Sequence, residues 1–112
     1  MSDARVKSDL LVQSIVRRAS ARGTPATVLQ KGDEDAGAVY VKIFRGMGVG
    51  CTLLAPTRDP ESGQLVWLSV TGDAPAPESE ADAYLEREKR IDPDFWVLEI
   101  EDRDGWNPFD AD

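Results

Sequence analysis

A chain of 112 residues with a hydrophobic fraction of 41% is long enough for one domain around one buried core and too short for a second. It contains no histidine, which excludes Ser-His-Asp and Cys-His nucleophilic systems, His-ligated zinc and an imidazole general base within the chain. The net charge of −8 is unevenly spread, with six basic and two acidic residues up to Lys31 but four basic and thirteen acidic from Ala76 onward, which argues against a broad nucleic-acid-binding face.

In chain order, residues 1–7 read as a loose lead-in. Residues 8–22 carry Leu11, Val12, Ile15, Val16 and Ala19 at helical spacing, and Gly23 and Pro25 supply the stop. Arg17, Arg18 and Arg22 are then expected to face solvent. Residues 26–31 and 38–45 read as strands, with Val39, Val41 and Ile43 alternating against Tyr40, Lys42 and Phe44. The loop between them, residues 32–37, has Gly at both ends and predicts a hairpin, so the two strands are expected to be antiparallel neighbours. Residues 45–50 form the next turn. A short strand follows at 51–55, stopped by Pro56, and a loop at 58–63 leads to a strand at 64–70.

After a Pro- and Ala-rich linker, a second helix is predicted from Ser79 as N-cap to the stop at Asp92-Pro93, with Ala81, Tyr84, Leu85 and Ile91 as its apolar stripe. Lys89 and Arg90 complement its negative end. From Phe95 to Glu101 the period changes to two, placing Trp96, Leu98 and Ile100 on one face of a half-buried strand and Val97, Glu99 and Glu101 on the other. Residues 102–105 read as a tight turn. Residues 106–112 read as a loose acidic tail from which Trp106 and Phe109 could dock back. The order helix, four strands, helix, strand defines a single α+β domain, with a mainly antiparallel sheet of about five strands and both helices on one face. The last strand fits either beside an edge of the four-strand meander or between its members.

The run from Tyr84 to Arg103, YLEREKRIDPDFWVLEIEDR, resembles the C-terminal signature of a small bacterial family, domain of unknown function 1491, and the loop KGDEDAG at residues 31–37 resembles its second signature. With the helix around Arg17 and Arg18 the resemblance spans nearly the whole chain. That family has no assigned activity, so the resemblance implies no catalytic or binding residue.

No apolar run approaches the ~20 residues needed to cross a bilayer, and the N-terminus lacks a signal-peptide pattern. With a single cysteine, Cys51, in an apolar stretch, the expectation is a cytoplasmic protein with a buried structural thiol. Gly46, Gly48 and Gly50 superficially match a phosphate or coenzyme loop, but a strand rather than a helix follows them, so a hairpin turn is expected. Asp33, Glu34 and Asp35 fail the calcium-loop template, since Gly37, Ala38 and Phe44 stand at its fifth, sixth and twelfth positions. No metal site and no cofactor are therefore expected.

Glu99 and Glu101 are the carboxylates of most interest, because the strand period sets them side by side, and such a pair costs stability unless it is solvated, metal-bound or matched by cations, for which Arg87, Arg90 and Arg103 are the nearby candidates in sequence. Two functional expectations follow. The first is a non-enzymatic protein-interaction module, with a protein partner or a homodimer held through a sheet edge or through Phe95 and Val97 on an exposed face of the last strand. The second is a small metal-dependent enzyme using Glu99, Glu101 and Asp102, with Arg87 or Arg90 binding an anionic substrate; it requires those groups to converge.

Overall fold

The computed structural model describes residues 7–110. Its elements are α1 (Ser8–Ala21), β1 (Ala26–Gln30), β2 (Val39–Phe44), β3 (Cys51–Arg58), β4 (Leu65–Ser69), α2 (Glu78–Ile91) and β5 (Trp96–Glu101). This is the α+β order expected from the sequence. The five strands form one sheet in the order β1-β5-β2-β3-β4, antiparallel throughout except for the β2–β5 pair.

β1 and β2 are not neighbours, contrary to the hairpin expectation, because β5 lies between them. The intervening loop steps across the start of β5 and is bonded to it. The Asp33 N–H donates to the Asp94 carbonyl at 3.0 Å, the Trp96 indole N–H to the Asp33 carbonyl at 2.8 Å, and the Trp96 N–H to the Ala38 carbonyl at 2.7 Å. The same loop closes the first turn of α1, which has no side-chain cap. Ser8 and Asp9 donate their N–H groups to the Asp35 and Glu34 carbonyls, and the Ser8 hydroxyl donates to the Gly37 carbonyl.

The helices pack on opposite faces, which corrects the expectation of a single covered face. Val12 and Ile15 of α1 pack with Val39, Val41, Ile43, Leu54, Trp96, Leu98 and Ile100. Ala81, Tyr84 and Leu85 of α2 pack instead with Tyr40, Cys51, Leu53, Ala55, Phe95 and Val97. The cause is legible in β2, whose odd and even positions are both largely apolar, as a strand buried on both sides requires.

Three boundaries differ from expectation for local reasons. β3 runs through Pro56, whose missing N–H lies beyond the Val41–Leu54 pair at the end of the β2 ladder. α2 begins one residue before Ser79 and is preceded by Pro77, with no side-chain cap, while Glu78 and Glu80 lie in its first turn. Ile91, the last residue of α2, is 78% exposed rather than part of the buried stripe. The glycine turn at 46–50 is a hairpin, and a Cβ on Gly50 would lie 2.4 Å from the Ala76 carbonyl oxygen.

Residues 106–110 are docked rather than loose. Pro108 is fully buried, Phe109 stacks on Trp67 with ring centroids 4.0 Å apart, and Arg22 lies over the Trp106 ring at 4.6 Å. Arg18 donates to the Pro108 carbonyl at 2.7 Å, so two of the three arginines expected in solvent hold the C-terminal segment. The expectation of loose ends at residues 1–6 and 111–112 falls outside the described residues.

A Cβ on Gly32 would stand 2.5 Å from the Phe95 carbonyl carbon, where only backbone surrounds it. Gly32→Ala is expected to cost about 1–3 kcal/mol in urea unfolding. Gly48→Ala has open space and only a left-handed φ of 83° to accommodate, so it should cost about 1 kcal/mol.

Candidate functional site

Glu99 faces α2, as the period of β5 requires, and its cation is Lys42 rather than an arginine. The parallel register sets Lys42 of β2 beside Glu99, with Nζ 3.4 Å from the Glu99 carboxylate. The first turn of α2 adds Glu78 at 2.6 Å, and Asp82 stands at 4.0 Å. The Lys42 side chain is only 7% exposed. Burial opposes its charge, but the hydrogen bond and charge of Glu78, with Glu99 and Asp82, outweigh burial and hold its pKa above the ordinary 10.5.

The remaining candidates do not join this cluster. Glu101 is exposed and opposite Phe44; with Asp102, Arg45 and Arg103 it lines a recess of about 280 Å³ at the end of β5. Asp102 accepts the Trp106 N–H at 2.6 Å, and Arg45 donates to the Arg103 carbonyl at 3.0 Å. Arg87 lies 5.8 Å over the Tyr84 ring, and Arg90 is exposed without an ion pair among the described residues. Asp33 folds back on its own loop, accepting the N–H groups of Asp35 and Ala36. Among the described residues, no three His, Cys, Asp or Glu side chains are grouped to hold a metal ion.

Phe95 and Val97 are core residues, each 4% exposed, so the proposed contact face on β5 does not exist. Phe95 packs edge-on against Tyr40, with ring centroids at 5.0 Å. The Tyr40 hydroxyl donates to Glu88 at 3.1 Å; burial and that carboxylate push its pKa well above the ordinary phenol value. The Cys51 thiol, fully buried, is also pushed up, chiefly by burial.

Among the described residues the sheet has two edges, β1 and β4, and β1 is the one flanked by a groove. β5 occupies one side of β1 and the other side is a sheet edge. Pro25 accepts the Glu101 N–H at 3.0 Å, and hydrogen-bonded pairs alternate along an antiparallel ladder. Thr27 therefore bonds to Glu99, while Ala26 and Val28 direct their N–H and C=O groups outward. A bulge between Val28 and Gln30 ends the regular ladder, and Gln30 continues it through a side-chain bond to the Phe95 carbonyl at 2.8 Å. Beside this edge lies a groove of about 740 Å³ lined by Val12, Val16, Ala21 and Val28, with Gln13, Arg17 and Ser20 on its rim. Val28 and Leu29 are 43% and 52% exposed.

Sequence reasoning missed Lys42 and Glu78 as partners. The available signal was a lone lysine within VYVKIF, since a charge in a strand apolar on both faces must find carboxylates.

A family model described as Protein of unknown function (DUF1491) matches residues 6–110. A crystal structure of a DUF1491 family protein from Caulobacter crescentus CB15 is similar at 39% identity and a TM-score of 0.78, covering 92% of this chain and 91% of that one. An NMR structure of a DUF1491 family protein from the same organism gives 39% and 0.79, covering 93% and 92%. A solution structure of a protein from A. tumefaciens gives 34% and 0.73, covering 87% and 86%. No curated protein matches the chain.

The cluster contributes to the response to alkali. Lys42 has a raised folded pKa, so its stabilisation is present below pH 10.5 and is lost as pH rises through the folded value. Cys51 acts in the same direction from pH 9.0, where the unfolded thiol ionises and the buried one resists. The Tyr40 and Tyr84 phenols, also raised, add to the loss from pH 10.0, so unfolding midpoints should fall above about pH 9, with Cys51→Ala removing the first part of the decline and Tyr40→Phe and Lys42→Met each removing a share of the rest. At neutral pH the double change Glu78→Gln, Glu99→Gln should cost about 2 kcal/mol, more than Lys42→Met, because it leaves a buried ammonium with only Asp82, at 4.0 Å, as counter-charge; half-exposure of Glu78 moderates the loss.

Proposed function

The chain belongs to the DUF1491 family of proteins of unknown function, and for this member we propose a single-domain, non-enzymatic protein-interaction module that receives a strand from a partner at β1. The observation that carries this is an open edge whose outward backbone groups, at Ala26 and Val28, adjoin an apolar groove. Strand addition draws its affinity from main-chain hydrogen bonds and its specificity from pockets for alternate side chains, and β1 with α1 offers both. The other edge, β4, exposes Leu65 and Leu68, but its α1-side face is covered where Phe109 stacks on Trp67.

An enzyme of the carboxylate type is supported less well. Glu99 is paired with Lys42 on the α2 face, whereas Glu101 and Asp102 lie at the end of β5. We also take the module to be cytoplasmic, since its one thiol is buried and unpaired, as suits a reducing compartment. Among the described residues no helix is long and apolar enough to cross a membrane.

Val28→Pro removes an outward N–H that the fold does not use, and Val28→Lys keeps that N–H but sets a charge on the edge. Native mass spectrometry of the tagged protein recovered gently from its own cells should show a stoichiometric second chain, absent from both variants and retained by Leu68→Lys. Recovery of a bare chain carrying a metal or metabolite would instead favour the carboxylate enzyme.

A further inference from the structure

We infer that the strand taken up by β1 is an extended segment of another protein, apolar at alternate positions and carrying a carboxylate set against Arg17; this rests on the edge-docking reading above. The backbone fixes the pattern. A strand pairing with Ala26 and Val28 turns every second side chain toward α1, into the groove lined by Val12, Val16, Ala21 and Val28. Its other side chains fall beside Thr27, whose partner Glu99 is bound to Lys42, so that row is polar. Only residues 26–28 form a regular ladder before the bulge, which limits the segment to a few paired residues.

Charge selects the partner. Arg18 is bonded to the Pro108 carbonyl and Arg22 lies over Trp106, so both are committed to the C-terminal segment. Arg17 is exposed on the groove rim and has no ion pair among the described residues. A carboxylate at the end of the apolar row meets it directly. A second copy of this chain, paired edge to edge about a twofold axis, would bring two Arg17 side chains along one seam, and like charges there oppose association.

The test uses the full chain, labelled with nitrogen-15, titrated with the blocked heptapeptide Glu-Thr-Val-Thr-Val-Thr-Glu and with its counterpart bearing Lys at both ends. The acidic probe should shift the amide signals of Ala26 and Val28 and slow their exchange with solvent. It should bind about fivefold more tightly than the basic probe, a preference that Arg17→Glu reverses and salt weakens. Equal binding of the two probes, or shifts centred away from β1, would overturn the acidic partner. So would a concentration-dependent dimer in sedimentation that Val28→Pro dissolves, although that result leaves β1 as the working edge. Failure of both probes alongside a cellular partner lost in Val28→Pro removes the partner class alone, whereas loss of neither probe nor partner in that variant removes the edge reading itself.

Discussion

The hydrogen bonds between the loop at residues 32–37 and the start of β5 hold the centre of the sheet, and both helices are placed in relation to it. Asp33 bonds to the Asp94 carbonyl and accepts the Trp96 indole, while Asp35 and Glu34 accept the first N–H groups of α1. Gly32 and Gly37 permit this because a Cβ on either would enter the Asp94–Phe95 backbone. The two segments that carry the family resemblance are thus in contact with each other. One consequence concerns assembly. β1 and β2 have no ladder of their own, so β1 joins the sheet only through the last strand of the chain, and the pairing at the centre is non-local.

Burial on both faces follows from the central position, but the two faces are chemically different. The α1 face is an apolar cluster of Val, Ile, Leu and Trp. The α2 face carries Tyr40, Lys42, Cys51 and Glu99 beneath a helix whose closest-packed residue is Ala81, fully buried. Small size at that position lets α2 approach, and Glu78 and Asp82 then reach Lys42 from one side of the helix. Replacement by apolar residues of similar volume is often neutral or stabilising for such clusters. The ion pairs therefore contribute chiefly to where the first turn of α2 sits.

Element order, the face assignment within β5 and the turn at 46–50 were legible because each rests on local spacing. Alternation from Trp96 to Glu101 needs no knowledge of a neighbour. Placement of β5 was not legible, since a hairpin loop and a loop stepping across one strand share glycine at both ends. Helix sidedness failed for a related reason: Tyr40, Lys42 and Phe44 alternate against Val39, Val41 and Ile43, and the lysine concealed that this second row is largely buried too. For the site, the cation beside Glu99 is Lys42. Proximity in sequence pointed to arginines of α2 and the turn after β5, whereas parallel pairing brings Lys42 from a strand more than fifty residues earlier.

The insertion that buries β5 also creates the exposed edge of β1. Natural edge strands are commonly blunted by lysine, proline or a bulge. β1 has the bulge, but ahead of it the outward-bonding residues are Ala26 and Val28, neither charged nor proline. The opposite flank of the α1 face is closed by the C-terminal segment, which uses Trp106, Pro108 and Phe109 to span from α1 to β4 and engages Arg18 and Arg22. The C-terminal segment meets these arginines through a carbonyl and a ring, which neutralise neither charge. α1 thus keeps its positive charge beside a groove that no other described residue covers, and the bulge leaves the edge two outward-bonding positions, Ala26 and Val28, too few to propagate a sheet.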